Sequence, residues 1–219
     1  MHNAGDRLAA MKALIYTIAF ALGAASFGHA QSLAVTRTSN ELGFSFTTPA
    51  DWEVVDTSAA AKEQARQDAK DDADKKGLAC VEVGLTARHG NPPSVMTEAA
   101  LPFECYGQQM TDADLPGFAA SASAGLEQNF DLAEPVYGGY QLGTHHFWIE
   151  RVQGSVKGQA DLRYTIEIAC SVTKKAAVCW MTMASDNAAL AVFEHMPVSL
   201  DGDTAAGLVP ANAFEKKPS

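Results

Sequence analysis

Basic residues are scarce in this chain: 16 Lys and Arg stand against 26 Asp and Glu, a formal charge of −10 over 219 residues. That balance excludes a nucleic-acid binder working through an overall basic surface, and it favours a basic protein partner or a divalent cation over anionic lipid. No unbroken apolar run reaches the ~20 residues a membrane-spanning helix needs. No Cys-x-x-Cys pair occurs, which removes the commonest zinc and redox motifs. Internal repeats are missing, as is any linker long enough to divide two domains. What is present, 47% apolar residues with ten Phe and three Trp, is enough to build one folded core.

The first thirty residues read as an export signal. Lys12 precedes the apolar run from Ala13 to Leu22, and a small-residue stretch ends Gly28-His29-Ala30, with small side chains where a signal peptidase requires them. Cleavage would leave Gln31 first, and Met11 is an alternative start to Met1. Residues 1–30 are therefore expected to be removed, leaving a single domain over 31–203 and a loose tail over 204–219, in the periplasm or secreted, with no membrane span. Losing Arg7, Lys12 and Asp6 leaves 14 basic against 25 acidic residues, a net of −11. The four cysteines, Cys80, Cys105, Cys170 and Cys179, all lie after residue 30. In an exported chain they argue for two disulfides, with three connectivities to choose from. Residues 164–170 and 177–183 alternate as a hairpin, and a two-residue turn at Lys174-Lys175 would set Cys170 opposite Cys179, where Cα atoms are ~4.5 Å apart. Cys80 with Cys105 then closes a loop of about 26 residues, worth roughly 3.5 kcal/mol in the chain-entropy picture.

Strand patterns over 33–38 and 43–55 flank a turn, with Phe44 and Phe46 on one face and Pro49-Ala50-Asp51 leading into Trp52. Residues 59–76, rich in Ala, Lys, Glu and Gln and followed by Gly77, predict a solvated helix with a stripe at Ala61, Ala65, Ala69 and Ala73. Residues 78–86 read as a strand holding Cys80, with Val81, Val83 and Leu85 on its other face. Asn91-Pro92-Pro93 breaks the chain. Asp114 and Pro116 open a helix whose buried stripe is Phe118, Ala122, Leu126 and Phe130. Gly138-Gly139 reads as a turn into a strand over 144–152, and Ser185 caps a last helix that stops before Pro197. Hairpins interleaved with amphipathic helices predict the α+β class: an antiparallel sheet flanked by helices on both faces.

The segment Gly43-Phe44-Ser45-Phe46-Thr47-Thr48-Pro49-Ala50-Asp51-Trp52 resembles an early segment of the PsbP-like superfamily, which includes photosystem extrinsic proteins and Mog-type Ran release factors. The helix from Pro116, the strand through Trp148, the hairpin from Tyr164 and Met196-Pro197-Val198 follow in the same order, so the resemblance spans about residues 33–200. Asp51 stands where Gly is common, in a left-handed turn that Asp tolerates. The resemblance implies an α/β/α sandwich and a binding or assembly role, and it supplies no catalytic residues.

Chemical motifs are thin. His145 and His146 are neighbours in a strand and face opposite ways, so they do not share an ion easily: His145 goes with Phe147 and Ile149, His146 with Trp148 and Glu150. His89 and His195 have no local partners. Ser171-Val172-Thr173-Lys174 and Ser185-Asp186-Asn187 match fragments of penicillin-recognising enzymes, but lie 14 residues apart without a following Lys-Thr-Gly. Ser121-Ala122-Ser123-Ala124-Gly125 sits inside a helix pattern. Asp112/Asp114 and Asp201/Asp203 are Asp-x-Asp pairs lacking the rest of a calcium loop, a basis for weak calcium binding only. With no catalytic set, metal site or cofactor motif, the expectation is an exported, non-enzymatic binding or assembly protein engaging a protein partner. The alternatives are a periplasmic hydrolase, for instance His146 with a remote Ser and Asp, and a small-molecule carrier using Trp148, Phe147 and Tyr140.

Overall fold

Alternation of apolar and β-branched residues with few charges produces the longest strands. A computed structural model describes residues 33–55, 59, 63, 67, 79–91, 93–107, 109–205 and 207. Its main sheet joins β3 (Glu53–Val55), β4 (Glu82–Gly90), β5 (Pro93–Pro102), β10 (Ala176–Ala184), β9 (Gln159–Val172), β8 (His145–Val156) and β6 (Phe130–Leu132) in that order, with β7 (Val136–Leu142) also paired to β8. A second, four-stranded sheet runs β1 (Thr36–Ser39), β2 (Phe44–Thr47), β11 (Val198–Leu200), β12 (Asp203–Ala205). All these pairings are antiparallel. Helices α1 (Phe103–Tyr106), α2 (Leu115–Leu126) and α3 (Asn187–Glu194) complete the α+β architecture.

β10 is buried along its whole length and divides two cores. Cys179, Met181 and Met183 enter one with Leu115, Phe118, Ala122 and Leu126 of α2. Val178, Trp180 and Ala184 enter the other with Phe44 and Phe46 of β2, Val198 and Leu200 of β11, and Leu190 and Phe193 of α3. The Trp180 ring is met edge-on by Phe44 at 6.2 Å and Phe46 at 6.1 Å, the geometry aromatic quadrupoles prefer. The early hairpin therefore does not join the main sheet; it packs across it.

Both disulfides form as read: Cys170 with Cys179, Cα atoms 4.2 Å apart, and Cys80 with Cys105 at 5.6 Å. Cys170 faces Cys179 in the ladder. Lys174-Lys175 closes the hairpin without positive φ, because the Thr173 hydroxyl accepts from Lys175 N at 3.1 Å and Ala176 N at 3.0 Å.

Several local readings need correction. Cys80 is helical and the strand begins at Glu82. A bulge between Val83 and Thr86 then sends Val83 into the first core while Leu85 packs against the second. Gly84 sits in that bulge, where a Cβ would fall on the Glu98 carboxylate. Phe130 opens β6 instead of extending the helix, and the cap of α3 is Asp186, whose Oδ1 accepts Ala189 N at 2.8 Å. Gly138-Gly139 lies inside β7; the turn falls at Gly143, with φ of 58°. The small sheet reaches Ala205, two residues beyond the expected domain end. Positions 59, 63 and 67 are helical, while the remainder of the 59–76 helix, the 1–30 signal and residues 208–219 lie outside the described residues.

Candidate functional site

Three glutamates are withdrawn from water in the main sheet: Glu98 on β5 and Glu167 on β9, each 0% exposed, and Glu150 on β8 at 1%. An uncompensated buried carboxylate is costly, so what each one faces separates structural from functional roles. Glu98 Oε2 pairs with Arg37 Nε at 2.8 Å and accepts Leu85 N at 3.3 Å, tying β1 to the main sheet. Glu167 Oε2 takes Arg151 Nε at 2.9 Å and Nη2 at 2.6 Å, and the same guanidinium pairs with Glu194 of α3. Burial, partly offset by the arginines, pushes both carboxyls up to about 7. These are clamps between layers.

Glu150 has no such cation. Burial raises its carboxyl above the usual range, and the one group counteracting this is the Ser123 hydroxyl of α2. Ser123 also lies 3.1 Å from the Ala120 carbonyl oxygen, and a hydroxyl has one proton to give. Glu150 Oε2 is buried without a hydrogen-bond partner, as is the Trp148 indole Nε1 two residues before it on the same strand face. Tyr137 of β7 lies directly across from Glu150, with its ring centroid 5.4 Å from that of Trp148. Burial, then Glu150 and Glu134, push the Tyr137 phenol up, so it stays protonated and able to donate. Gly139 lies across from Trp148. A Cβ there would meet just the Phe147 carbonyl oxygen at 3.6 Å, so β7 has a notch beside the indole.

At the far end of this row His146 Nε2 lies 3.9 Å from Asp112 Oδ2, both side chains about half exposed. Four residues of strand, ~13 Å, separate His146 from Glu150 and its Ser123. An Asp thus lies beside His146, while Ser123 bonds Glu150 and Ser171 Oγ donates to the backbone carbonyl of His146 at 2.7 Å. His145 faces the other way, with Nδ1 2.8 Å from Val172 O and Nε2 3.6 Å from Asp201. Asp114 accepts Thr111 N at 2.9 Å, Asp201 accepts Lys174 N at 2.9 Å, and Asp203 accepts Thr144 N at 3.4 Å. Among the described residues no three His, Cys, Asp or Glu side chains converge on one point. The aromatic cleft read from the sequence is split by the strand: Phe147 and Tyr140 pack on each other at 5.9 Å against the second core, and Trp148 lies on the opposite face. His89 stacks on Trp52 at 6.1 Å, and His195 ends α3.

Tyr137, Gly139 and Ser123 were not legible as a site. Glu150 was, in principle: between Trp148 and Val152 in strict alternation, it had to lie on a core-facing side.

Neither a family model nor a curated protein sequence matches the chain. Among solved structures it is similar to the solution structure of cyanobacterial PsbP (CyanoP) from Synechocystis sp. PCC 6803, with 9% identity and a TM-score of 0.45, over 78% of this chain and 91% of that one.

Proposed function

We propose that this is an exported, non-enzymatic binding or assembly protein that engages a protein partner through the β7–β8 face, with α2 and α3 as the outer layers of an α/β/α sandwich. One observation carries the reading. Glu150 is held in low dielectric without a counter-ion, beside an unpaired indole N–H and a notch in the neighbouring strand, an arrangement that gains energy when a ligand supplies the missing partner. Two disulfides fit an oxidising compartment outside the cytoplasm. No helix among the described residues is long and apolar enough to cross a membrane.

The test is photocrosslinking in the native cell envelope, with benzoyl-phenylalanine replacing exposed Gln141 on β7 or, as control, Leu162 on β9. A discrete protein adduct from position 141 and none from 162 is expected. Equal labelling from both, no adduct, or a small-molecule adduct overturns the reading.

A further inference from the structure

The partner's chemistry can be narrowed, on the premise that the β7–β8 face is the binding surface. β7 pairs with β8 alone, and no hydrogen bond from its outer edge to other backbone is present among the described residues. Its sequence, Val136-Tyr137-Gly138-Gly139-Tyr140-Gln141-Leu142, has neither a charge nor a proline, the usual devices by which an edge is closed to a further strand. β12 approaches the end of the hairpin, where Asp203 takes the Thr144 N–H, and forms no ladder with β7.

A strand added to this edge would place alternate side chains over the face that carries Tyr137, Gly139 and Gln141. At Gly139 an added Cβ meets no side chain within 4 Å, which leaves room for such a side chain over β7. There it lies beside the Trp148 ring, which Tyr137 flanks at 5.4 Å, and one diagonal step from the buried, unpartnered Glu150 Oε2. A long cationic side chain fits this path: its stem lies along the indole, where a cation is attracted by the ring face, and its N–H groups reach a carboxylate that has no other cation. A second copy of the chain is a poor occupant, since its own β7 offers no Lys or Arg and both copies carry the same net negative charge. We propose that β7 accepts an extended segment of a partner protein as an added strand, and that an Arg or Lys of that segment passes over Gly139 to Trp148 and Glu150.

The probe is a nine-residue, end-blocked Thr/Val peptide with one central Arg, titrated into the isotopically labelled, disulfide-bonded protein and followed by NMR. Expected are shifts of the 136–142 backbone amides and the Trp148 indole N–H, with affinity at least tenfold weaker when norleucine replaces Arg or in Glu150→Gln. Affinity should rise with pH as Glu150 ionises; the titratable group facing it is Tyr137, whose phenol also feels Glu134, and His146 and Asp112 lie further along the row. Gly139→Val closes the notch and should abolish binding. Its thermal transition stays near that of the parent, because a Cβ at this position meets one atom at ordinary contact distance.

No shifts, shifts elsewhere, equal binding of the norleucine peptide, or undiminished binding to Gly139→Val overturns the proposal. Equal affinity for free N-acetyl-arginine amide does so too, since it dispenses with the strand, as does self-association that excludes the peptide. If the peptide fails while position 141 still crosslinks a discrete protein, the binding role stands and the basic-strand partner falls.

Discussion

Asp51 has a φ of 69°, the left-handed region that L side chains avoid. Its place after Pro49-Ala50 made that turn legible in the sequence. Asp51→Gly should leave stability unchanged or raise it by up to about 1 kcal/mol, whereas a β-branched Asp51→Val should lower it by about 1–2 kcal/mol, read from urea denaturation. Thr173 was not legible, because its role depends on a residue distant in sequence. Its hydroxyl donates to Leu42 O at 2.7 Å while accepting two amides of its own turn. Thr173→Val keeps the shape and strands these groups, so a loss of about 2–3 kcal/mol is expected by the same measurement.

Hairpins with short turns were the easiest elements to read, since their register is counted outward from the turn. That is why Cys170 could be set against Cys179. β5 escaped the reading: it begins and ends in proline and its interior, Ala99-Ala100, carries little strand signal. The glycine pair at 138–139 misled for the opposite reason. Glycines mark turns by composition, but here one of them leaves a strand without a side chain, and the chain reverses at Gly143. The hairpin of β1 and β2 was legible, but its place in a separate small sheet was not, because β2 finds β11 across most of the chain. At this scale α2 should dock independently of its half-buried serine: Ser123→Ala removes one hydrogen bond to Glu150 and should cost about 1 kcal/mol, with the Glu150 carboxyl moving further up, as a carboxyl-resolved NMR titration would show.

The whole molecule is held in register by two buried ionic clamps, Arg37 with Glu98 and Arg151 with Glu167 and Glu194. Both buried carboxyls titrate near 7 when folded, above their ordinary 4.5. Between those values the folded chain holds more protons than the unfolded one, so their contribution to stability is complete below about 4.5 and is lost as pH rises through 7. The melting temperature should therefore fall between pH 5 and pH 8, and the fall should shrink in Glu98→Gln and in Glu167→Gln, by calorimetry at matched ionic strength. Arg37→Met should be better tolerated at pH 5 than at pH 8, because at the higher pH it leaves a buried charge without its partner.

The pairing of β2 with β11 has a consequence in time. Phe44 and Phe46 close over Trp180 in company with Val198 and Leu200, residues made about 150 positions later, and such long-range contacts form late. A growing chain that has not yet produced residues 198–200 lacks the strand that seals its second core. Until synthesis passes that point, the core around Trp180 lacks its lid.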